Sequence, residues 1–328
     1  MKIIILSLSA IAIIGAAVAL TTPQIRFTVH VTGEDENPLS GIKCSFIFHP
    51  NASHQDQYTQ VKAVSDENGN FTVEGPSQDG TFAFGELLNK DGYYPSGVNI
   101  PSFLKTDTLG HWLPWDVTYT TVLRKIGNPI PMYARELNIT TPTLVNQSCG
   151  FDLEEADWVA PYGKGKIADF IFTVTQAEYH SDNDYNGTIT LSFSNLDDGI
   201  KATQLPKEFA NSRFTWPREA PETGYQPTLE AFRSWHSLPS GEVNVTNSAK
   251  DDQVYFFRVR TEKQGDKIIS ALYGKIQGGI RVGPTPTQHG FINFLYYLNP
   301  TPNDRNMEYD PKQDLFKGLT FPVAPRDP

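Results

Sequence analysis

The chain has 328 residues, with 27 basic against 37 acidic side chains and a formal net charge of −10. That balance excludes a nucleic-acid or anionic-membrane binder acting through overall charge, because both surfaces repel an acidic protein without a strong local basic patch. Gly (25) and Pro (24) leave little room for long helices, whereas 20 Phe, 14 Tyr and 5 Trp supply aromatic area for real cores. The length suits about two domains.

At the N-terminus Lys2 precedes an apolar run over residues 3–18, and Ala17-Val18-Ala19 fits the small-x-small rule for cleavage. Residues 1–19 therefore read as a secretory signal peptide, with an uncleaved N-terminal anchor as the competing reading. The expected location is secreted, periplasmic or cell-surface, with no transmembrane span in the mature chain. In an oxidising compartment Cys44 and Cys149 are a candidate disulfide; two separate buried thiols are equally open. Asn-x-Ser/Thr sequons at Asn51, Asn70, Asn138, Asn146, Asn186 and Asn244 matter only in a host that glycosylates.

Further along, alternation dominates. Ile25, Phe27, Val29 and Val31 fall on one face of a strand, with Arg26, Thr28 and His30 on the other. Similar runs follow over residues 117–126, 170–175, 188–193, 254–261, 268–276 and 291–298. Gly- and Asn-bearing clusters such as Asp66-Glu67-Asn68-Gly69 and Gln264-Gly265-Asp266 separate them as tight turns. The best helical candidate, residues 228–235, is barely two turns long. The pattern predicts an all-β protein: two β-sandwich domains in tandem over 20–127 and 128–298, joined near Gly127-Asn128-Pro129-Ile130-Pro131, with 299–328 as coil packed on the second.

Val29-His30-Val31, Asn37-Pro38-Leu39-Ser40-Gly41-Ile42, the Asp66 to Thr72 turn and Lys90-Asp91-Gly92-Tyr93-Tyr94 together resemble the carboxypeptidase-regulatory-like domain. The resemblance covers about residues 24–126 and implies a transthyretin-like seven-stranded β-sandwich. It also implies an accessory folding or binding module without catalytic residues of its own. The remainder resembles no characterised family.

Among motifs with chemistry, Asp182-Asn183-Asp184-Tyr185-Asn186-Gly187 matches the opening of a calcium loop, with Asp182, Asp184 and Asn186 as oxygen ligands. Phe193 stands where a bidentate Glu belongs, so a polar β-turn is the alternative. Zinc patterns, a nucleophile elbow and a phosphate loop are missing: His49 and His54 are the only close His pair, and Gly163-Lys164-Gly165-Lys166 lacks the Ser or Thr after its Lys. Glu154-Glu155 and Asp197-Asp198 are adjacent acids, which on a strand point to opposite faces. Trp112, Trp115, Trp216 and Trp235 are candidate stacking platforms for sugar or peptide, or else cap the cores. In 254–261, Tyr255, Phe257 and Val259 face one way and Phe256, Arg258 and Arg260 the other, where an interdomain carboxylate such as Asp152 or Asp169, or an acidic ligand, would meet the arginines. These features point to a non-catalytic binding or scaffold protein for glycan or protein, without a required cofactor. A secreted hydrolase using carboxylates of the second domain and a calcium-stabilised adhesion module are the alternatives.

Overall fold

The computed structural model describes residues 22–49, 57–238, 240–250, 253–320 and 323–328. The signal-peptide assignment, Asn51 and His54 lie outside these residues. Among the described residues every regular element is a strand apart from one short 3₁₀ turn, Lys207–Phe209. Two compact units emerge, one from Met1–Ile126 with Lys207–Thr215 and one from Gly127–Pro206 with Trp216–Pro328.

The first unit holds β1 (Gln24–Thr32), β2 (Lys43–Phe48), β3 (Thr59–Val64), β4 (Asn70–Pro76), β5 (Phe82–Asn89), β6 (Lys105–Thr106), β7 (Trp112–Leu113) and β8 (Val117–Val122). One three-stranded sheet runs β4-β1-β8, a second β3-β2-β5, and β6-β7 form a small ribbon. The alternation of β1 does what its pattern predicts: Ile25, Phe27, Val29 and Val31 are fully buried. Phe27 meets Phe46 of the other sheet edge-on at 5.3 Å, closing a sandwich core. The β3–β4 turn is set by Asp66, whose Oδ1 accepts the N–H groups of Asn68 and Asn70. Gly69 there has φ 75°, and a Cβ would lie 2.5 Å from the Val31 carbonyl oxygen, so only glycine fits.

A single boundary near residue 127 does not describe the chain, because Lys207–Thr215 belongs to the first unit. Its anchor is the buried Arg124, which donates to Glu34 at 3.0 Å and to the Phe214 carbonyl at 3.0 Å. The guanidinium also lies over the rings of Phe209 and Phe214, at 4.1 and 4.5 Å. Sequence distance hides such a partner.

The second unit contains β9 (Tyr133–Leu144), β10 (Ser148–Asp152), β11 (Asp157–Trp158), β12 (Phe170–Ser181), β13 (Asp184–Ser192), β14 (Gly199–Gln204), β15 (Thr228–Ser237), β16 (Val243–Asn247), β17 (Gln253–Gln264), β18 (Lys267–Pro284) and β19 (His289–Asn299). A six-stranded sheet, β11-β10-β12-β13-β15-β16, faces a five-stranded one, β14-β17-β18-β19-β9, across a shared core. Phe170 spans that core, 5.0 Å from Phe257 and 6.2 Å from Phe294. The segment 228–235, the best helical candidate by sequence, is instead most of β15, paired antiparallel with β13. Sheet pairing on both sides outweighs the weak helical propensity of eight residues.

Beyond β19 the chain is coil within the second unit, with Met307 and Tyr309 buried beside Met132, Ala134 and Tyr297. The buried Glu308 carboxylate accepts the N–H groups of Gly127 and Asn128 and pairs with Arg218 at 3.1 Å. Phe316 packs edge-on against Tyr133 at 5.2 Å, and Phe321 lies outside the described residues.

The candidate disulfide is corrected: Cys44 and Cys149 are free, buried thiols. Each faces its own core, Cys44 from β2 and Cys149 from β10. Burial pushes both thiols up, Cys44 to about 12, so neither is a thiolate nucleophile at neutral pH.

Candidate functional site

The largest ionic assembly is at the end of the second unit where β17 bulges. A register shift follows Val259, and Arg260 takes φ 54°. The bulge breaks strict alternation. Arg260 is thereby aimed at Asp152 and Asp169 on the opposing sheet rather than standing beside Phe256 and Arg258, as period two predicts. Its Nε and NH2 donate to the two oxygens of Asp169 at 2.8 and 2.9 Å, and NH1 pairs with Glu154 at 2.9 Å. Both acids belong to the same unit as the arginine, so the expected interdomain contact is an internal one. Burial works against the Arg260 charge, but the hydrogen bonds and attraction of Asp169 and Glu154 outweigh it and hold the guanidinium firmly protonated.

The remaining acids here are also occupied. Asp152 accepts N–H groups from Glu154, Glu155, Lys166 and Ile167, tying the loop after β10 back onto itself. Burial alone would raise its carboxyl, yet these bonds carry it below the ordinary value. Glu155 pairs with Lys166, and Asp197 with Lys263 at 2.6 Å. Asp198 accepts the N–H groups of Arg260 and Thr261, while burial raises its carboxyl above the ordinary 3.8. A carboxyl raised on folding binds more protons in the native state, so its contribution is present below 3.8 and lost as pH rises through the raised value. Asp198→Asn removes that dependence. The stability gap between the native chain and this variant is expected to narrow as pH rises from below 3.8 toward neutrality. Urea unfolding at several pH values checks it, and a constant or widening gap refutes the argument.

The residues of the candidate calcium loop lie at a turn between two strands, as the polar β-turn reading has it. Asp182 and Asn183 form the tight turn between β12 and β13, and Asp184 and Asn186 already lie on a strand. A calcium loop must curl its backbone around the ion, which an extended strand does not do. The oxygens are committed elsewhere: Asp182 accepts from the Tyr179 hydroxyl, while Asp184 and Asn186 face the two ring nitrogens of His236 at 2.8 and 3.1 Å. Among the described residues no group of three His, Cys, Asp or Glu side chains is placed to hold a metal.

Each tryptophan has its own setting within its unit. Trp216 is 1% exposed and packs edge-on against Phe256 at 5.6 Å, so it offers no stacking surface. Trp112 packs against the first core and donates its indole N–H to the Ser77 carbonyl. Trp115, half-buried, stacks on His111 at 4.0 Å. Arg258 donates to the Asp197 carbonyl and lies 4.9 Å over Tyr225, a structural role. Trp235 differs: it is half-buried on β15, and its Nε1 is buried without a hydrogen-bond partner among the described residues.

Arg233, two positions before Trp235, shares its strand face, and its guanidinium sits 5.4 Å from the indole ring. Arg233 lies opposite Gly187 on β13 and Asn247 on β16. Between β15, β16 and β18 opens a groove of about 270 Å³ lined by Arg233, Asn247 and Arg281, with the exposed Phe232 and the buried Ile280 and Val282 beside them. Arg26, Arg124, Arg218, Arg260 and Arg305 each hold a carboxylate within the protein. Among the described residues Arg233 and Arg281 have no such partner, and the Arg233 Nε is buried without an acceptor. Buried donors normally find acceptors, so the Arg233 Nε is chemically incomplete.

No family model matches the chain, and no curated protein matches it. Among solved structures, two mutants of the shaft pilin SpaA from Lactobacillus rhamnosus GG are similar at TM-score 0.20, with 14% and 13% identity, covering 77% of this chain and 93% and 92% of theirs. A Bacteroides fragilis protein described as membrane-associated and of unknown function aligns at TM-score 0.17 and 8% identity, covering 87% of this chain and 100% of that one. Scores this low define neither fold nor role. No helix among the described residues is long and apolar enough to cross a membrane.

Proposed function

We propose that the chain is a non-catalytic binding or scaffold protein that works outside the cytoplasm, at the cell surface or in the periplasm, with recognition carried by the second unit. One observation carries the reading: the acids that would serve a hydrolase are spent on Arg260, Lys166, Lys263 and backbone N–H groups, whereas Arg233 and Arg281 at one groove have no carboxylate partner among the described residues. A catalytic pair of carboxylates needs freedom to take and give protons, and acids fixed in structural bonds lack it. The signal-peptide reading of residues 1–19 supports the location, and the first unit, two three-stranded sheets on one core, supports its reading as an accessory module of the carboxypeptidase-regulatory-like kind.

The test is a glycan and peptide binding screen on the purified mature chain, with product analysis on every binder. Binding without turnover is the expected result. Released sugar or peptide fragments would overturn the proposal, as would a screen in which nothing binds.

A further inference from the structure

Resting on that reading, we propose that the groove between β15, β16 and β18 binds a carboxylate-bearing saccharide unit, with Arg233 and Arg281 supplying the positive charge and Asn247 a further hydrogen-bonding amide. The argument begins with charge. In a chain of net charge −10, two guanidiniums at one groove are without carboxylate partners among the described residues. A guanidinium matches a carboxylate through two parallel N–H bonds, and such charge-assisted pairs are about twice as strong as neutral ones.

Size and wall chemistry narrow the class. At about 270 Å³ the groove lies below the usual range for drug-sized ligands, so it takes one ring-sized unit rather than an extended peptide. Phe232, 39% exposed, offers an apolar surface to the C–H face of a pyranose ring. The position also holds the arginine still: Arg233 stands between Gly187 and Asn247 on neighbouring strands, and its guanidinium rests against Trp235. A donor placed in advance loses less freedom on binding.

The experiment is calorimetric titration of the purified chain with oligogalacturonate, neutral galacto-oligosaccharide of matched length, an acidic peptide and sodium sulfate. Oligogalacturonate is expected to bind, more weakly as salt rises, with the neutral sugar and the peptide binding at least tenfold less. Arg233→Gln and the exposed-site variant Arg281→Gln are each expected to weaken binding by roughly 10–100-fold, the loss of one hydrogen bond to a charged group. Unfolding midpoints verify that both variants fold, and Arg281→Gln stands in if Arg233→Gln does not. Equal binding of acidic and neutral sugars, preference for the peptide, response to sulfate alone, or uronate affinity unchanged in both variants would each overturn the inference. If the wider screen finds another ligand whose binding the variants leave intact, the binding-protein reading survives and only this site falls.

Discussion

Replacing Arg260 with Ala is expected to destabilise the second unit by about 3–5 kcal/mol, the cost of stripping the partner from a buried charge. Asp169 is 1% exposed and takes both of its guanidinium bonds from this one side chain. Without Arg260 its remaining protein donor in this geometry is the Leu153 N–H, at 2.9 Å. The desolvation cost of the carboxylate is then no longer offset. The backbone does not confound the comparison, because Arg and Ala meet similar strain at φ 54°. Pairing Arg260→Met with Asp169→Leu should recover much of the loss, since apolar residues of similar volume often replace a buried ion pair without cost. Chemical unfolding of Arg260→Met, Asp169→Leu and the double variant reads the cycle, with Arg260→Ala measured alongside. A loss below 1 kcal/mol for Arg260→Ala would mean that Asp169 is better hydrated than its burial implies.

Phe170→Ala is expected to cost a similar amount, about 3–5 kcal/mol, through a different term. Phe170 is fully buried and touches rings on both sheets: Phe172 and Phe193 on its own side, Phe257 and Phe294 across the core. Truncation removes its transfer energy and leaves a cavity that four aromatic neighbours in paired strands cannot close. Against the 5–15 kcal/mol typical of a domain, this is a large share of the total. The denaturation midpoint should fall with an unchanged slope. A shift of less than 1 kcal/mol would show that the two sheets do not meet at this residue.

The fold class was legible because its signal is local. Alternation with period two, as in Ile25, Phe27, Val29 and Val31, states both that a strand forms and which face it buries. Turn chemistry is equally local, and Asp66 with Gly69 closes its turn using side-chain and backbone groups within five residues. The Arg260 pairing was half legible. Asp152 and Asp169 are its partners, but the bulge that delivers the arginine to them depends on how β17 meets β18.

The groove was not legible, for a geometric reason. Read as a helix, residues 228–235 would set Arg233 and Trp235 on opposite sides of the element, since two residues advance about 200°. As a strand they share one face, and only sheet pairing decides between the two. Asn247 and Arg281 arrive from strands 14 and 48 positions further on, joined by register and sandwich packing that no local pattern encodes. The amino-acid sequence by itself determined the strands, their buried faces and the turns, because those rest on interactions within a few residues. Tertiary structure alone decided which charges are neutralised and which are left open, because ion pairing depends on distances between segments far apart in the chain.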